Sequence, residues 1–152
     1  MMILPTLTPL NFPKLIRASS SLPREGTLLK SKNNLIYLNI DDQFIHSLFP
    51  YLNSATIKKP NYFGKGLIGA HISVFYPEEP ILFNEVDLKK TYTFAIKELI
   101  QAEMNSKSYF MLLIHCPELI RLRKKYGLNP QLNFKNYVID LHITIGVGHK
   151  KH

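Results

Sequence analysis

The sequence predicts one domain of mixed helix and strand, and three observations carry that reading. A four-residue phrase recurs, His71-Ile72-Ser73-Val74 and His142-Ile143-Thr144-Ile145, alternating polar with apolar, mostly β-branched residues as a half-buried strand does. Each phrase follows a helical pattern: Phe44, Ile45, Leu48 and Phe49 make an apolar stripe before the first, and Pro117–Tyr126 precedes the second. Between them, 91–104 and 109–115 are spaced as the arms of a hairpin. A chain of 152 residues is most simply one unit, long enough to bury a sizeable core.

Taken in order, residues 1–33 read as an irregular N-terminal segment packing on or near the domain, with four prolines, serines at 19–21 and a turn at Arg24-Glu25-Gly26. The domain is expected over 34–152. Asn34–Ile40 is a β-type run, and Asp41 and Asp42 read as the N-cap and first turn of a helix that Pro50 ends. Residues 53–66 form a polar, glycine-containing loop. Leu67–Tyr76 is the first motif strand, stopped by Pro77 and Pro80. Thr91–Met104 fits strand or helix by pattern; the clear strand Tyr109–His115 close behind favours strand. Pro117–Tyr126 starts on proline, has Glu118 in its first turn and basic residues late, and is followed by Gly127, all helix signals. Asn136–Val147 is the second motif strand, ended by Gly146 and Gly148. The motifs lie 71 residues apart and hint at two related halves.

Nineteen Lys and Arg against eleven Asp and Glu give +8 and a pI near 9.6, which favours an anionic partner, nucleic acid first. The excess is uneven: the last 52 residues carry eight basic and three acidic side chains. Cys116 is the only cysteine, which excludes an intrachain disulfide and a cysteine-rich zinc site. No Gly-rich phosphate loop, EF-hand or His-Glu-x-x-His pattern occurs. No apolar run approaches the roughly 18 residues of a membrane span, and Met1–Phe12 lacks a basic residue and is broken by Pro5 and Pro9, so it is a poor secretory signal. A soluble, cytoplasmic monomer without a membrane partner is the expectation. The tail Lys150, Lys151 and His152 is expected to be loosely held.

Strand alternation puts His71 and Ser73 on one face and His142 and Thr144 on another, with Ile72, Val74, Ile143 and Ile145 turned to a core. With 45% hydrophobic residues and 16 Ser and Thr, a given His heads such a phrase by chance about 2% of the time, and two of six do so about 0.7% of the time. Two imidazoles that titrate near neutrality suit in-line cleavage of a phosphoester, one as base and the other as acid. The hydroxyls would donate to the non-bridging oxygens, where charge builds. This chemistry calls for no metal and no cofactor. Which imidazole is acid and which is base is left open by the sequence.

The two tetrads resemble the two His-Φ-[Ser/Thr]-Φ motifs (Φ, hydrophobic) of the two-histidine, or 2H, phosphoesterase superfamily, which includes 2′-5′ RNA ligase-like proteins and RNA 2′,3′-cyclic phosphodiesterases. Leu122-Arg123-Lys124-Lys125-Tyr126-Gly127-Leu128 is similar to the helix end before the second motif in some branches. The resemblance spans about 34–147, and Ser73 keeps the hydroxyl where Thr is commoner. It implies an α+β bilobal fold, two antiparallel sheets lining a central cleft with helices outside, and catalysis by His71, Ser73, His142 and Thr144. It further implies hydrolysis of 2′,3′-cyclic phosphate on RNA ends, with reversible 2′-5′ ligation as a second activity. The alternatives are a phosphodiesterase of 2′-5′ oligoadenylates or another small nucleotide ester, and a non-catalytic RNA-binding module; four intact His and hydroxyl positions argue against the module.

Substrate contacts are sought in the loop, where Lys58, Lys59 and Lys65 would meet phosphate and Tyr62 or Phe63 would stack on a base. The same residues also read as a solvated connection with an aromatic plug. Tyr76 would border the cleft or pack at its rim. Arg123, with Arg121, Lys124 and Lys125, forms either an RNA-facing strip or a solvated helix face. His115 and Cys116 lie on opposite faces of one strand and read as structural.

Overall fold

Two antiparallel sheets share one apolar interior, and the motif strands stand where the sheets meet. The computed structural model describes residues 6–104, 106–134 and 137–149. The first sheet has the order β1 (Thr6–Leu10), β7 (Ala95–Met104), β8 (Lys107–His115), β11 (His142–His149), β4 (Ile57–Lys58). The second runs β5 (His71–Phe75), β3 (Ile36–Asn39), β2 (Glu25–Lys30), β6 (Thr91–Thr93), and β9 (Leu132–Phe134) pairs with β10 (Tyr137–Ile139) alone. Among the described residues three short α-helices, α1 (Pro13–Ser19), α2 (Gln43–His46) and α3 (Pro117–Lys125), complete an α+β fold.

The expected halves are visible as matching units. β3–α2–β5 and β8–α3–β11 each pair their two strands antiparallel with a helix in the connection. Both pairs also carry an irregularity at the same place. Tyr37 lies opposite Ser73 and Ile36 opposite Phe75, so Val74 is skipped; Met111 lies opposite Thr144 and Phe110 opposite Gly146, so Ile145 is skipped. A skipped residue bends and twists its strand, and here both strands bend one residue past the hydroxyl. The helices cross over: α2 packs on β11, and α3 packs on β5.

Sequence and structure part at several elements. The N-terminal segment is not irregular. Residues 6–30 supply β1, α1 and β2, and β2 sits between β3 and β6 with Leu28 fully buried. Two of its prolines fall where they do no harm: Pro9 on an edge strand and Pro13 at a helix start. The helix at 41–49 is shorter than expected, four residues followed by a 3-10 turn at Phe49–Leu52. Asp42 makes no cap there, since its carboxylate accepts the Ala70 amide of the strand entry instead. The strand expected from Leu67 begins at His71, and 67–70 is loop. β11 is not ended by its glycines. Gly146 lies inside it because a Cβ there would come within 2.7 Å of Leu52 and 2.9 Å of Ile57.

The ambiguous run 91–104 is two strands rather than one, β6 beside β2 and, after a break at Phe94, β7, which makes the hairpin with β8. α3 ends as its residues foretell: Gly127 adopts φ +78°, and the amides of Gly127 and Leu128 return to the carbonyls of Lys124 and Arg123. The second motif strand, expected as one run from Asn136, is interrupted: Tyr137–Ile139 is β10, paired with β9, the chain leaves the strand at Asp140 and Leu141, and β11 begins at His142. Asn136 itself and the tail at 150–152 lie outside the described residues. Among the described residues no helix is long and apolar enough to cross a membrane.

Candidate active site

β5 shows the alternation of its sequence, with Ile72 and Val74 fully buried and His71 and Ser73 half-exposed. On β11, Ile143 and Ile145 are likewise buried, but His142 and Thr144 are also nearly enclosed, at 6% and 8% exposure. β5 and β11 lie against each other across the sheet boundary, within range for the charge of His71 to act on His142.

Both rings are tethered in the same way. Nδ1 of His71 lies 2.8 Å from the carbonyl oxygen of Gly69, and Nδ1 of His142 lies 2.8 Å from that of Asp140, two residues earlier in each case. A carbonyl only accepts, so Nδ1 carries the hydrogen in both neutral rings and Nε2 is left as the basic nitrogen. Burial pushes His71 below its ordinary value of 6.5, with the Gly69 hydrogen bond opposing it. His142 is lowered too, by burial first and also by the charge of His71, against the pull of the Asp140 carbonyl. The Asp140 carboxylate is held by Lys97 at 2.6 Å and Gln131 at 2.9 Å. Burial raises that carboxyl, but those bonds together outweigh it and keep it below 3.8.

Tyr62 joins the two devices. Its ring lies 4.6 Å from that of His71, edge to face, and its hydroxyl stands close enough to the side chain of Thr144 to feel it, although burial is what chiefly pushes that hydroxyl upward. Tyr37 closes the other side of His71 at 5.8 Å. Two imidazole–hydroxyl pairs are thus gathered around one tyrosine.

A family model described as the Swiss Army Knife 2H phosphoesterase domain matches residues 36–152, both tetrads included. The chain is a 2H phosphoesterase. Comparison with curated proteins and with solved structures gave no match. The match begins at the first residue of β3, so β1, α1 and β2 of this 2H phosphoesterase lie outside it.

Of the sequence-predicted substrate residues, Tyr62 lies beside both motifs from the loop, and Arg123 bonds the backbone of Val74. Tyr76 stands beside it, within electrostatic range; burial, then Tyr62 and Glu79, push its hydroxyl upward. Phe63 turns the other way and packs on His46 at 4.3 Å, anchoring the loop to α2. Lys65 is exposed at the loop tip between Gly64 and Gly66.

Arg123 is neither an RNA-facing nor a solvated residue. It is 2% exposed, and all five N–H donors are engaged, by Asn129 O, Val74 O, Gln131 O and both carboxylate oxygens of Glu79. It pins α3 to β5 one residue past Ser73 and has no donor left for a phosphate. The residues that sequence reasoning missed are Gly69 and Asp140. They contribute backbone oxygens, so no shared side chain marked them; their common position two before each His was the only signal.

Proposed function

We propose that this 2H phosphoesterase acts on RNA ends, hydrolysing terminal 2′,3′-cyclic phosphate with His71 and His142 as the proton-transfer pair and without a metal ion. The observation that carries the reading is the matched tethering of the two rings through Nδ1 beside two hydroxyls. With both rings lowered by burial, neutral imidazole is the ready form, which suits the base role; the charge of an incoming phosphate favours protonation of the second ring.

In the reaction one Nε2 takes a proton from water as the water oxygen attacks phosphorus. The bond from phosphorus to one ribose oxygen breaks on the opposite side, and the other Nε2–H delivers its proton to that oxygen. The product is a phosphomonoester next to a free hydroxyl. Ser73 and Thr144 donate to the non-bridging oxygens, which gain charge in the transition state.

The deciding experiment incubates the protein in EDTA with RNA ended by 2′,3′-cyclic phosphate and, separately, with 2′-5′ oligoadenylate. Turnover of the first supports the proposal. Turnover of the second alone assigns the protein to small 2′-linked nucleotides, and binding of RNA without turnover of either assigns it to the binding modules.

A further inference from the structure

A groove of about 630 Å³, within the range of ligand-binding pockets, lies on the side of the second sheet behind the tyrosines that pack on His71. Its inner wall is made of residues that surround the imidazole: Tyr37 and Tyr62 pack on the ring, and Asn39 lies directly opposite His71 in the strand register. Its outer wall is the turn between β2 and β3, which carries Lys32 and Asn33, faced by Asn61 of the loop. No carboxylate lines it. Cations and side-chain amides with no acid among them suit a polyanion that also presents hydrogen-bonding edges.

The turn is held in shape before anything binds. The Ser31 hydroxyl accepts the amides of Asn33 and Leu35, the Ser31 amide donates to Leu35 O at 2.8 Å, and Asn34 adopts φ +68° to close the turn. Lys30 at its base is paired with Glu85 at 3.0 Å, while Lys32 is exposed at its tip. This wall belongs to the part of the chain before Ile36, where the family match starts.

Building on the reading of the chain as an RNA-end phosphodiesterase, we propose that this groove binds the nucleotide preceding the one that carries the scissile cyclic phosphate. Lys32 contacts that nucleotide's backbone phosphate, and the amides of Asn39 and Asn61 contact its base edges. The N-terminal segment thereby makes the protein an enzyme of oligonucleotides rather than of mononucleotides.

The test compares wild type, Lys32→Glu and Asn61→Ala on an RNA tetranucleotide ended by 2′,3′-cyclic phosphate and on a mononucleoside 2′,3′-cyclic phosphate. Lys14→Glu, an exposed charge reversal outside the groove, is the control. Lys32→Glu should lower kcat/KM for the tetranucleotide about tenfold through KM, several times more than for the mononucleotide, and reduce the salt slope by about one. Asn61→Ala should weaken the tetranucleotide without changing the salt slope. Equal losses on both substrates, or an equal loss in Lys14→Glu, would overturn the proposal. A fluorescent tetraribonucleotide titrated into the His142→Ala protein gives a readout independent of turnover. Binding that depends on Lys32 in a protein that cleaves neither substrate would leave the groove standing and remove the reaction. Binding indifferent to Lys32→Glu, in a protein whose wild type cleaves both, would remove the groove and leave the reaction.

Discussion

The Gly69 carbonyl reaches Nδ1 of His71 because the chain turns through φ +72° at Gly69, hard against Asp42, whose carboxylate also holds the Ala70 amide. A Cβ at Gly69 would stand 2.5 Å from Asp42 Oδ1, in a backbone conformation that L side chains resist. Gly69→Ala is therefore expected to cost about 1–3 kcal/mol of stability and to reduce kcat more than KM, because the ring loses its orientation. Thermal unfolding and steady-state kinetics on one preparation check both.

The paired devices predict an ordered series of losses. His71→Ala and His142→Ala should each lower kcat by about 10²–10⁴, the usual share of a proton-transfer group. Ser73→Ala and Thr144→Ala should cost about 10–10², since each removes one donor to developing charge. Single-turnover assays in EDTA measure these, and wild-type cleavage by His142→Ala would end the proposal.

Both imidazoles are depressed below 6.5, so the singly protonated pair that the reaction needs is best populated on the acid side of that value in the free enzyme. The bell of kcat/KM should peak below pH 6.5, and that of kcat should lie higher, since bound phosphate raises the acid partner. Parallel pH profiles of the two parameters test the displacement.

The same shifts govern stability. Above pH 6.5 both rings are neutral in the folded and unfolded chain and add no slope. As pH falls below 6.5 the unfolded chain binds protons that the folded rings refuse, so stability declines until the folded values are passed. Asp87 and Asp140 are lowered from 3.8, where hydrogen bonds from lysines and neighbouring groups outweigh burial, so their contribution is present above 3.8 and lost as pH falls through their folded values. Urea midpoints between pH 7.5 and 5 should drop in the wild type and drop less in His142→Gln.

Arg123→Met should unfold most readily of the single variants. Removing the guanidinium strands Glu79 and the carbonyls of Val74, Asn129 and Gln131, a loss of about 3–5 kcal/mol for a broken buried pair. Arg123→Lys should not rescue it, since an ammonium cannot grip both oxygens of Glu79 and three carbonyls in one plane. Melting temperatures of the two variants decide the point.

The motif strands, the β7–β8 hairpin and α3 were all legible because their signals are local: alternation, close spacing, and Pro and Gly at a helix's two ends. β2 was not legible. Glu25–Lys30 is a short strand among prolines and serines, and its place between β3 and β6 is fixed by partners distant in sequence. At the site, the imidazoles and hydroxyls were named by their pattern, whereas Arg123 looked solvated because its sequence neighbours are basic. Two of its partners, Val74 and Glu79, lie more than forty positions away, and the other two are backbone oxygens past the helix end, which no side-chain pattern marks.

The crossing of α2 onto β11 and of α3 onto β5 bears on how the molecule can move. Two lobes joined at one seam can open like a jaw. Here each half reaches across and braces the strand of the other, and Arg123 bolts one of those braces. Parting the imidazoles would require both braces to slip at once. The spacing between the two imidazoles is therefore a property of a locked frame.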